Sequence, residues 1–375
     1  MSALPCLLLV LAAAPDRLTG DWKGSRTTLE DRGITIDLVY TAEAFTNFLG
    51  GRHGPTLLGH IDAALTLDTA RLGLWQGGKL FLLGQNNHGT GVNSLVGSAN
   101  TISNAEDSEP FTQLTELFFE QTWLDDAILI RLGKQDASRD FALSPYGSDF
   151  INNNFGMFPT SPLPNYLATG LGAVLVVQPF SWLVTRAAIF EGRPLVGSVG
   201  FDSAFRKDSG FVVAAGLAGI HRLTATEGTT SFSAWRHADS ELPQGFNWGF
   251  FVQHDQRVYA DPANVENEGG LVVTLRFAWA MPDRTQLPLY AGAALTWRGL
   301  FSRDDDSVGL GFGAFIVRTQ AGGTAGPGSE LFFELFYKLR VTRFFSAQPT
   351  VQLYRSPGGD GANAILAGVR VEIVY

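Results

Sequence analysis

The sequence predicts an all-β chain, a transmembrane antiparallel β-barrel of about sixteen strands with a constriction loop folded into its lumen. Three observations predict it. Polarity alternates residue by residue along most of the chain, the signature of strands with two unlike faces. Only 17% of residues are charged, beside 43 Gly and 28 Phe, which suits strands whose outer side meets an apolar medium. One stretch, from Ile128 to Tyr166, starts as a strand and then loses all periodicity while carrying Phe141, Tyr146, Phe150, Phe155 and Phe158. A patternless loop beyond ~12–15 residues is functional, a linker or a misread element. These aromatics need something to pack on, and a cavity lined by the other strands would supply it.

The chain divides into three parts. Residues 1–14 read as a signal peptide: Leu4–Ala14 is the longest apolar run and ends in Ala12, Ala13 and Ala14, although the n-region lacks Lys or Arg. Cys6, the single cysteine, lies inside it, so the mature chain is expected to have neither disulfides nor thiolate metal sites. Residues 15–33 form an N-terminal segment in which Ser25, Thr28, Leu29 and Glu30 predict one or two helical turns ended by Gly33. From 34 to 375 the chain reads as the barrel, its strand pattern continuing with varying clarity to the last residue. A net charge of −9 argues against a nucleic-acid binder. No run reaches the ~18 apolar residues of a spanning helix.

The first strand sets Ile34, Ile36, Leu38 and Tyr40 against Thr35, Asp37, Thr41 and Glu43. The second sets Leu57, Ile61 and Leu65 against His60, Asp62 and Thr66. Further strands are expected at 78–88, 113–123, 127–133, 167–178, 182–191, 210–221, 229–236, 246–257, 270–279, 288–298, 307–318, 330–340, 344–355 and 363–375. The segments at 78 and 229 are the weakest. In the strand from Glu330, Leu331, Phe333, Leu335, Tyr337 and Leu339 take one face, and Glu330, Glu334, Lys338 and Arg340 the other.

Period two alone does not separate a soluble sandwich from a membrane barrel. The strands exceed the ~5–6 residues usual in sandwiches and are long enough to span a bilayer when tilted. Connections alternate between short (LDDA, QPFS, RVTR) and long (89–111, 136–165, 192–209), as turns and outer loops of a barrel do. Aromatics gather near strand ends, Tyr40, Trp123, Trp182, Trp248, Trp279, Trp297 and Tyr375, where interfacial girdles belong. The connection between Tyr259 and Gly269 is longer than the turn side of this scheme wants.

Several short motifs resemble the OprB-type carbohydrate-selective porins of outer membranes. They are Leu18-Thr19-Gly20-Asp21-Trp22-Lys23-Gly24-Ser25-Arg26, Leu132-Gly133-Lys134-Gln135-Asp136, SPYGSDFINNNFG, Gly299-Leu300-Phe301-Ser302-Arg303-Asp304-Asp305-Asp306, and the closing QPTVQLYRSPGG and ILAGVRVEIVY. Lys23 departs from that family's second Gly in WGG. The resemblance implies a sixteen-stranded barrel that passes sugars and other small solutes down their gradient. It places the chain in the bacterial outer membrane, and the aromatic Tyr375 resembles the signal read by the barrel assembly machinery.

A sugar-passing constriction needs polar groups that replace water and flat surfaces for the sugar faces, binding weakly enough to release. The loop offers Arg139, Asp140, Asp149, Asn152, Asn153 and Asn154 for hydroxyls, and Tyr146 or Phe155 for stacking. The same charges would equally serve to pin the loop to the wall. On the wall, Glu116 and Glu120 share a face, and Arg131 follows on the next strand; they set a transverse field or act as ordinary lumen charges.

Other chemistry finds little support. Asp304-Asp305-Asp306 lacks the spaced ligands of a calcium loop and reads as a solvated turn. The six His make no zinc spacing, and no Ser sits in a G-x-S-x-G elbow, so neither catalytic residues, metal nor cofactor are expected. The alternatives are a general ion and small-solute porin, differing only in the eyelet, and an outer-membrane barrel enzyme such as a lipid hydrolase. The expected partners are sugars or small polar solutes and outer-membrane lipid, with a homo-oligomer left open.

Overall fold

The computed structural model describes residues 17–375 other than 108, 143, 145, 198–205, 207–208, 224–225, 240–244, 263–268, 319–327 and 360. The signal-peptide reading of residues 1–14, Cys6 included, lies outside the described residues.

Among the described residues sixteen strands form one closed sheet. They are β1 (Ile34–Leu49), β2 (Gly54–Asp68), β3 (Gly78–Gly89), β4 (Phe111–Trp123), β5 (Ile128–Gln135), β6 (Gly170–Phe180), β7 (Leu183–Glu191) and β8 (Phe211–His221). The second half is β9 (Gly228–Ala238), β10 (Phe246–Ala260), β11 (Gly270–Ala280), β12 (Leu289–Arg298), β13 (Ser307–Val317), β14 (Gly328–Thr342), β15 (Phe345–Arg355) and β16 (Ala364–Val374). Every expected strand is present, the two weak ones as β3 and β9. Each pairs antiparallel with its sequence neighbours, and β1 closes on β16 with Tyr40 opposite Ile373 and Glu43 opposite Arg370. Closure leaves no unpaired edge, which matters in a medium that cannot hydrogen-bond one.

The sidedness is that of a membrane barrel. Glu330, Glu334 and Gln352 are fully buried on the inside, whereas Leu57, Phe312, Leu331 and Leu335 stand exposed on the outside. Aromatic pairs cap the outer wall: Phe180–Trp182 and Tyr259–Trp297 toward the end that holds the termini, Trp248–Trp279 toward the other. We call these the terminal end and the loop end. Alternation of polarity fails on the inner face of β14, where Phe332 and Phe336 point inward as well. The reason is that an inserted loop, not water, covers that wall.

Connections at the terminal end are not uniformly tight. The β10–β11 link, 261–269, does fall there, and so does the nine-residue link 69–77. The second of these seats the N-terminal segment, since Arg71 Nη1 donates to Glu30 O at 3.2 Å. A helix, α1 (Ser25–Asp31), precedes Gly33, whose φ of 85° ends it. Arg26 holds the segment to the barrel by donating to Gly20 O at 2.9 Å and to Tyr375 O at 3.1 Å. Arg17 reaches Asp37 on the inner face of β1 at 2.6 Å.

Lys23 stands at φ 62°, ψ 37°, the left-handed region that glycine occupies without a Cβ clash. That conformation costs a non-glycine residue roughly 1–2 kcal/mol. Lys23→Gly is therefore expected to stabilise the segment by about 1 kcal/mol, roughly fivefold in its opening equilibrium. Slower hydrogen exchange at the α1 amides is the readout; unchanged exchange would show that the strain is relieved elsewhere.

Candidate constriction site

The β5–β6 connection, 136–169, turns into the lumen and lines its wall. At its root Asp136 accepts Ser138 N at 2.7 Å and Ser138 Oγ at 2.6 Å, starting a one-turn helix, α2 (Ser138–Phe141). Ala137 N donates to Pro164 O at 3.0 Å, which draws the two ends of the loop together. Burial, with the nearby Glu116 charge, pushes the Asp136 carboxyl up to about 6.

From α2 the loop crosses to the far wall. Ser144 Oγ donates to Asp255 at 2.6 Å, and Thr296 Oγ1 to Tyr146 O at 3.0 Å. Glu334 accepts Ile151 N at 3.0 Å and Asn152 N at 2.8 Å. Tyr290 Oη donates to Asn154 O at 2.9 Å. Arg276, 3% exposed, donates to Phe155 O and Gly156 O with its guanidinium 4.0 Å from the Phe158 ring.

The aromatics that seemed too many for a loop pack here. Phe150 and Phe155 pack with ring centroids 4.2 Å apart and planes tilted by 31°, and meet Phe336 and Phe332 edge-on. Gly311 makes room, because a Cβ there would lie 2.5 Å from Phe155 Cζ and 2.6 Å from Phe150 Cε1. On its return the loop is caught by Tyr166, whose hydroxyl donates to Asp62 at 2.5 Å beside His60. Burial and the Asp62 charge hold that phenol well above its ordinary range.

A second loop, which sequence reasoning did not single out as constricting, folds in beside the first. The β3–β4 connection, 90–110, places fully buried Ile102 and Ser103 against it. Ser103 bridges Asn152, Asn104 N donates to Ile151 O at 2.8 Å, and Asn153 N to Ile102 O at 3.0 Å. Wall charges clamp this loop too. Glu330 accepts Ala99 N at 3.0 Å and the Ser98 hydroxyl; Arg370 bonds Glu43 and reaches Asn104. The available signal was Ser98 to Asp107, a polar stretch with Ala99, Ile102 and Ala105 as its apolar residues and no strand period.

Glu106 in this loop is 4% exposed; its Oε1 accepts Asn93 N at 2.8 Å, and its Oε2 has no partner among the described residues. Burial pushes the carboxyl up to about 7. A pKa raised on folding contributes stability that is full below the unfolded value and is lost as pH rises through the folded one. The loop is thus expected to seat more firmly near pH 5 than near pH 8. Hydrogen exchange at Asn93, corrected for intrinsic rate, reads this; a pH response that survives Glu106→Gln would contradict it.

The sequence-chosen residues fall into two groups. Asn152, Asn154 and Phe155 are buried in the seam between loop and wall, and Asn153 bonds Thr101. Asp149 bonds Lys338 at 3.1 Å, Ser307 at 2.8 Å and, through its carbonyl, Gln348. Burial would raise its carboxyl, but Lys338 and Arg298 outweigh that and hold it below the usual range. Tyr146 lies on the loop beside Arg257, 6.0 Å from its ring.

The other group clusters on β4, β5 and α2. Arg131 pairs with Glu120 at 2.8 Å and Asp140 at 2.7 Å, and Arg139 with Glu116 at 2.7 Å. Phe118 is the hub of this group. Both guanidiniums lie near its ring, Arg139 at 5.1 Å and Arg131 at 5.2 Å. Phe81, half-buried on β3, lies 5.1 Å from Phe118 and 5.7 Å from Arg139. Arg186 on β7 also points inward within the field of Asp140, with no hydrogen bond or ion pair among the described residues. Phe81 and Arg186 were missed because nothing local distinguishes them from other strand residues; only the register across the barrel does.

This geometry has known relatives. Porin B of Pseudomonas aeruginosa is 24% identical over 96% of this chain and 91% of its own length. The high-pH structure of Pseudomonas putida OprB superposes with a TM-score of 0.84 at 20% identity, covering 96% of this chain and 99% of that one. Its low-pH structure superposes with a TM-score of 0.64 at 19% identity, over 96% and 98%. The family model described as "Carbohydrate-selective porin, OprB family" matches residues 52–375, most of the chain. The chain belongs to the OprB family of carbohydrate-selective porins, bacterial outer-membrane β-barrels.

Proposed function

We propose that solutes cross this porin passively past one polar face of the eyelet, formed by Arg131, Arg139, Asp140, Phe81 and Arg186, with Glu116 and Glu120 behind it. The observation that carries this reading is the grouping of guanidiniums and carboxylates around the Phe81–Phe118 pair. Forked donors suit vicinal hydroxyls, and a ring face suits the C–H side of a pyranose. Three carboxylates offset the arginines, Glu116, Glu120 and Asp140, which favours neutral sugars over ions of either sign. Asp149, the three Asn and Phe155 act on the solute indirectly, by holding the loop in place.

The same reading makes the chain a channel rather than an enzyme, since lumen carboxylates are engaged in holding the loops: Glu330 and Glu334 accept loop backbone, and Asp62 and Asp255 accept loop hydroxyls. Tyr375 would be the residue offered to the barrel assembly machinery. Liposome swelling with a graded series of neutral and charged sugars tests the proposal. Neutral sugars should enter fastest at equal size; equal rates for charged and neutral solutes would instead support a general porin.

A further inference from the structure

On the outer wall of β9 to β11 the outward rings touch one another in a column. Phe232 and Phe250 lie 5.9 Å apart, Phe250 and Phe277 6.1 Å, Phe250 and Trp279 6.0 Å, and Trp279 and Trp248 5.0 Å. Phe232, Trp248 and Phe277 stand exposed. The column climbs to the loop end, where Phe246 opens β10. Two guanidiniums flank that last ring, Arg284 at 4.1 Å and Arg236 at 5.1 Å from its centroid. The aromatic pairs at the terminal end, Phe180–Trp182 and Tyr259–Trp297, have no guanidinium over them among the described residues.

Arg236 belongs to the outer wall by register. It lies opposite Trp248, and its buried neighbours Trp235 and His237 point inward. It is exposed and, beyond the Phe246 ring, has no hydrogen bond or ion pair among the described residues. Arg284, in the 281–288 link, is held in place by donating to Phe246 O at 2.5 Å. Asp283, next to it in sequence, is engaged by Arg318 at 3.1 Å. An arginine on the lipid-facing wall is costly at the bilayer centre and costs little near the interface. There its counter-charge has to come from the surroundings, and phosphate is the anion that a guanidinium fork fits.

We propose that this face is a binding site for a phosphate-bearing lipid of the outer leaflet. The headgroup phosphate sits between Arg236 and Arg284, and an acyl chain lies along the rings from Trp248 down to Phe232. The loop end is the outer-leaflet side of such a barrel, because it carries the long connections. Two features favour a lipid over a soluble phosphate. The arginines stand directly above rings that face hydrocarbon, so one molecule with an anionic head and an apolar tail meets both. Both also lie on the outward side of the wall, where a solute in the pore does not pass them. The site is therefore independent of the eyelet.

Native mass spectrometry of the purified barrel in detergent tests this, with three titrants: bis-phosphorylated lipid A, the same lipid stripped of its phosphates, and inorganic phosphate. The parent chain should hold the phosphorylated lipid about tenfold more tightly than the stripped one, the difference that a charge-assisted bond to phosphate supplies. Arg236→Gln should remove most of that preference, and Phe246→Leu, which takes away the ring both guanidiniums flank, part of it. Arg355→Gln is the control, since Arg355 is also exposed at the loop end of the outer wall, on β15, with no aromatic ring beneath it among the described residues; it should bind as the parent does. Unchanged heat-modifiable mobility and ion conductance in all three variants establish that the barrel is intact. Equal affinity of the parent for the two lipids overturns the proposal. So does an Arg236→Gln chain that keeps the parent's preference, or an equal loss in Arg355→Gln. Inorganic phosphate that displaces the lipid at comparable concentration would make this a site for the free anion and overturn the lipid assignment.

Discussion

Arg139→Ala is expected to weaken the block of ion current by a neutral sugar about tenfold, which corresponds to about 1.4 kcal/mol. The current in plain salt should change little. A hydrogen bond from a charged donor contributes about 1.5–3 kcal/mol, so losing one guanidinium fork from the solute accounts for a change of that size. Arg139 also pairs with Glu116 at 2.7 Å, and that pair is what a purely anchoring role would use. The two roles separate cleanly. Anchoring predicts altered conductance with an unchanged sugar-block constant; solute contact predicts the reverse. Phe81→Leu, which keeps bulk but removes the ring face, should weaken the block in the same direction and by less.

Removing a clamp should have the opposite signature. Glu334 is fully buried, has no ion-pair partner among the described residues, and accepts two consecutive backbone N–H groups of the constriction loop. Glu334→Ala leaves both unsatisfied, at about 1–3 kcal/mol each. The loop is then expected to lift from the wall, raising single-channel conductance severalfold and making it noisy, while sugar discrimination falls. Gly311→Val should reproduce this from the other side, since its side chain would occupy the space of Phe150 and Phe155. Conductance unchanged in both variants would show that the remaining anchors, Arg276 and Tyr290 among them, suffice alone. Heat-modifiable mobility distinguishes an opened pore from a misfolded barrel.

These two predictions rest on a division of labour that was only half legible in the sequence. Strand alternation was readable because each strand contacts two different media, and β14 showed it plainly in Glu330, Glu334 and Lys338. It broke down at Phe332 and Phe336, because there the inner medium is another piece of the chain. The constriction loop was visible from its length and aromatics, but not which of its residues would stay open to solute. Asn152 and Asn154 look like hydroxyl binders in sequence and are buried in a seam; Arg139 looks the same and borders the half-buried Phe81. That distinction depends on where the loop touches the wall, a matter of register between segments far apart in sequence. The β3–β4 loop was passed over for a related reason. It lacks the aromatics of its neighbour, and its place is fixed by Glu330, Arg370 and the Ser103–Asn152 bridge.

The central claim is that a water-filled path survives beside two inserted loops and recognises sugar at the eyelet. Single-channel recording in a planar bilayer, with neutral sugar titrated into symmetric salt, tests it most directly. The account predicts a steady ohmic current that falls saturably as sugar is added, and falls at much higher sugar concentration in Arg139→Ala. A barrel that passes no current, or a current indifferent to sugar in both parent and variant, would contradict it.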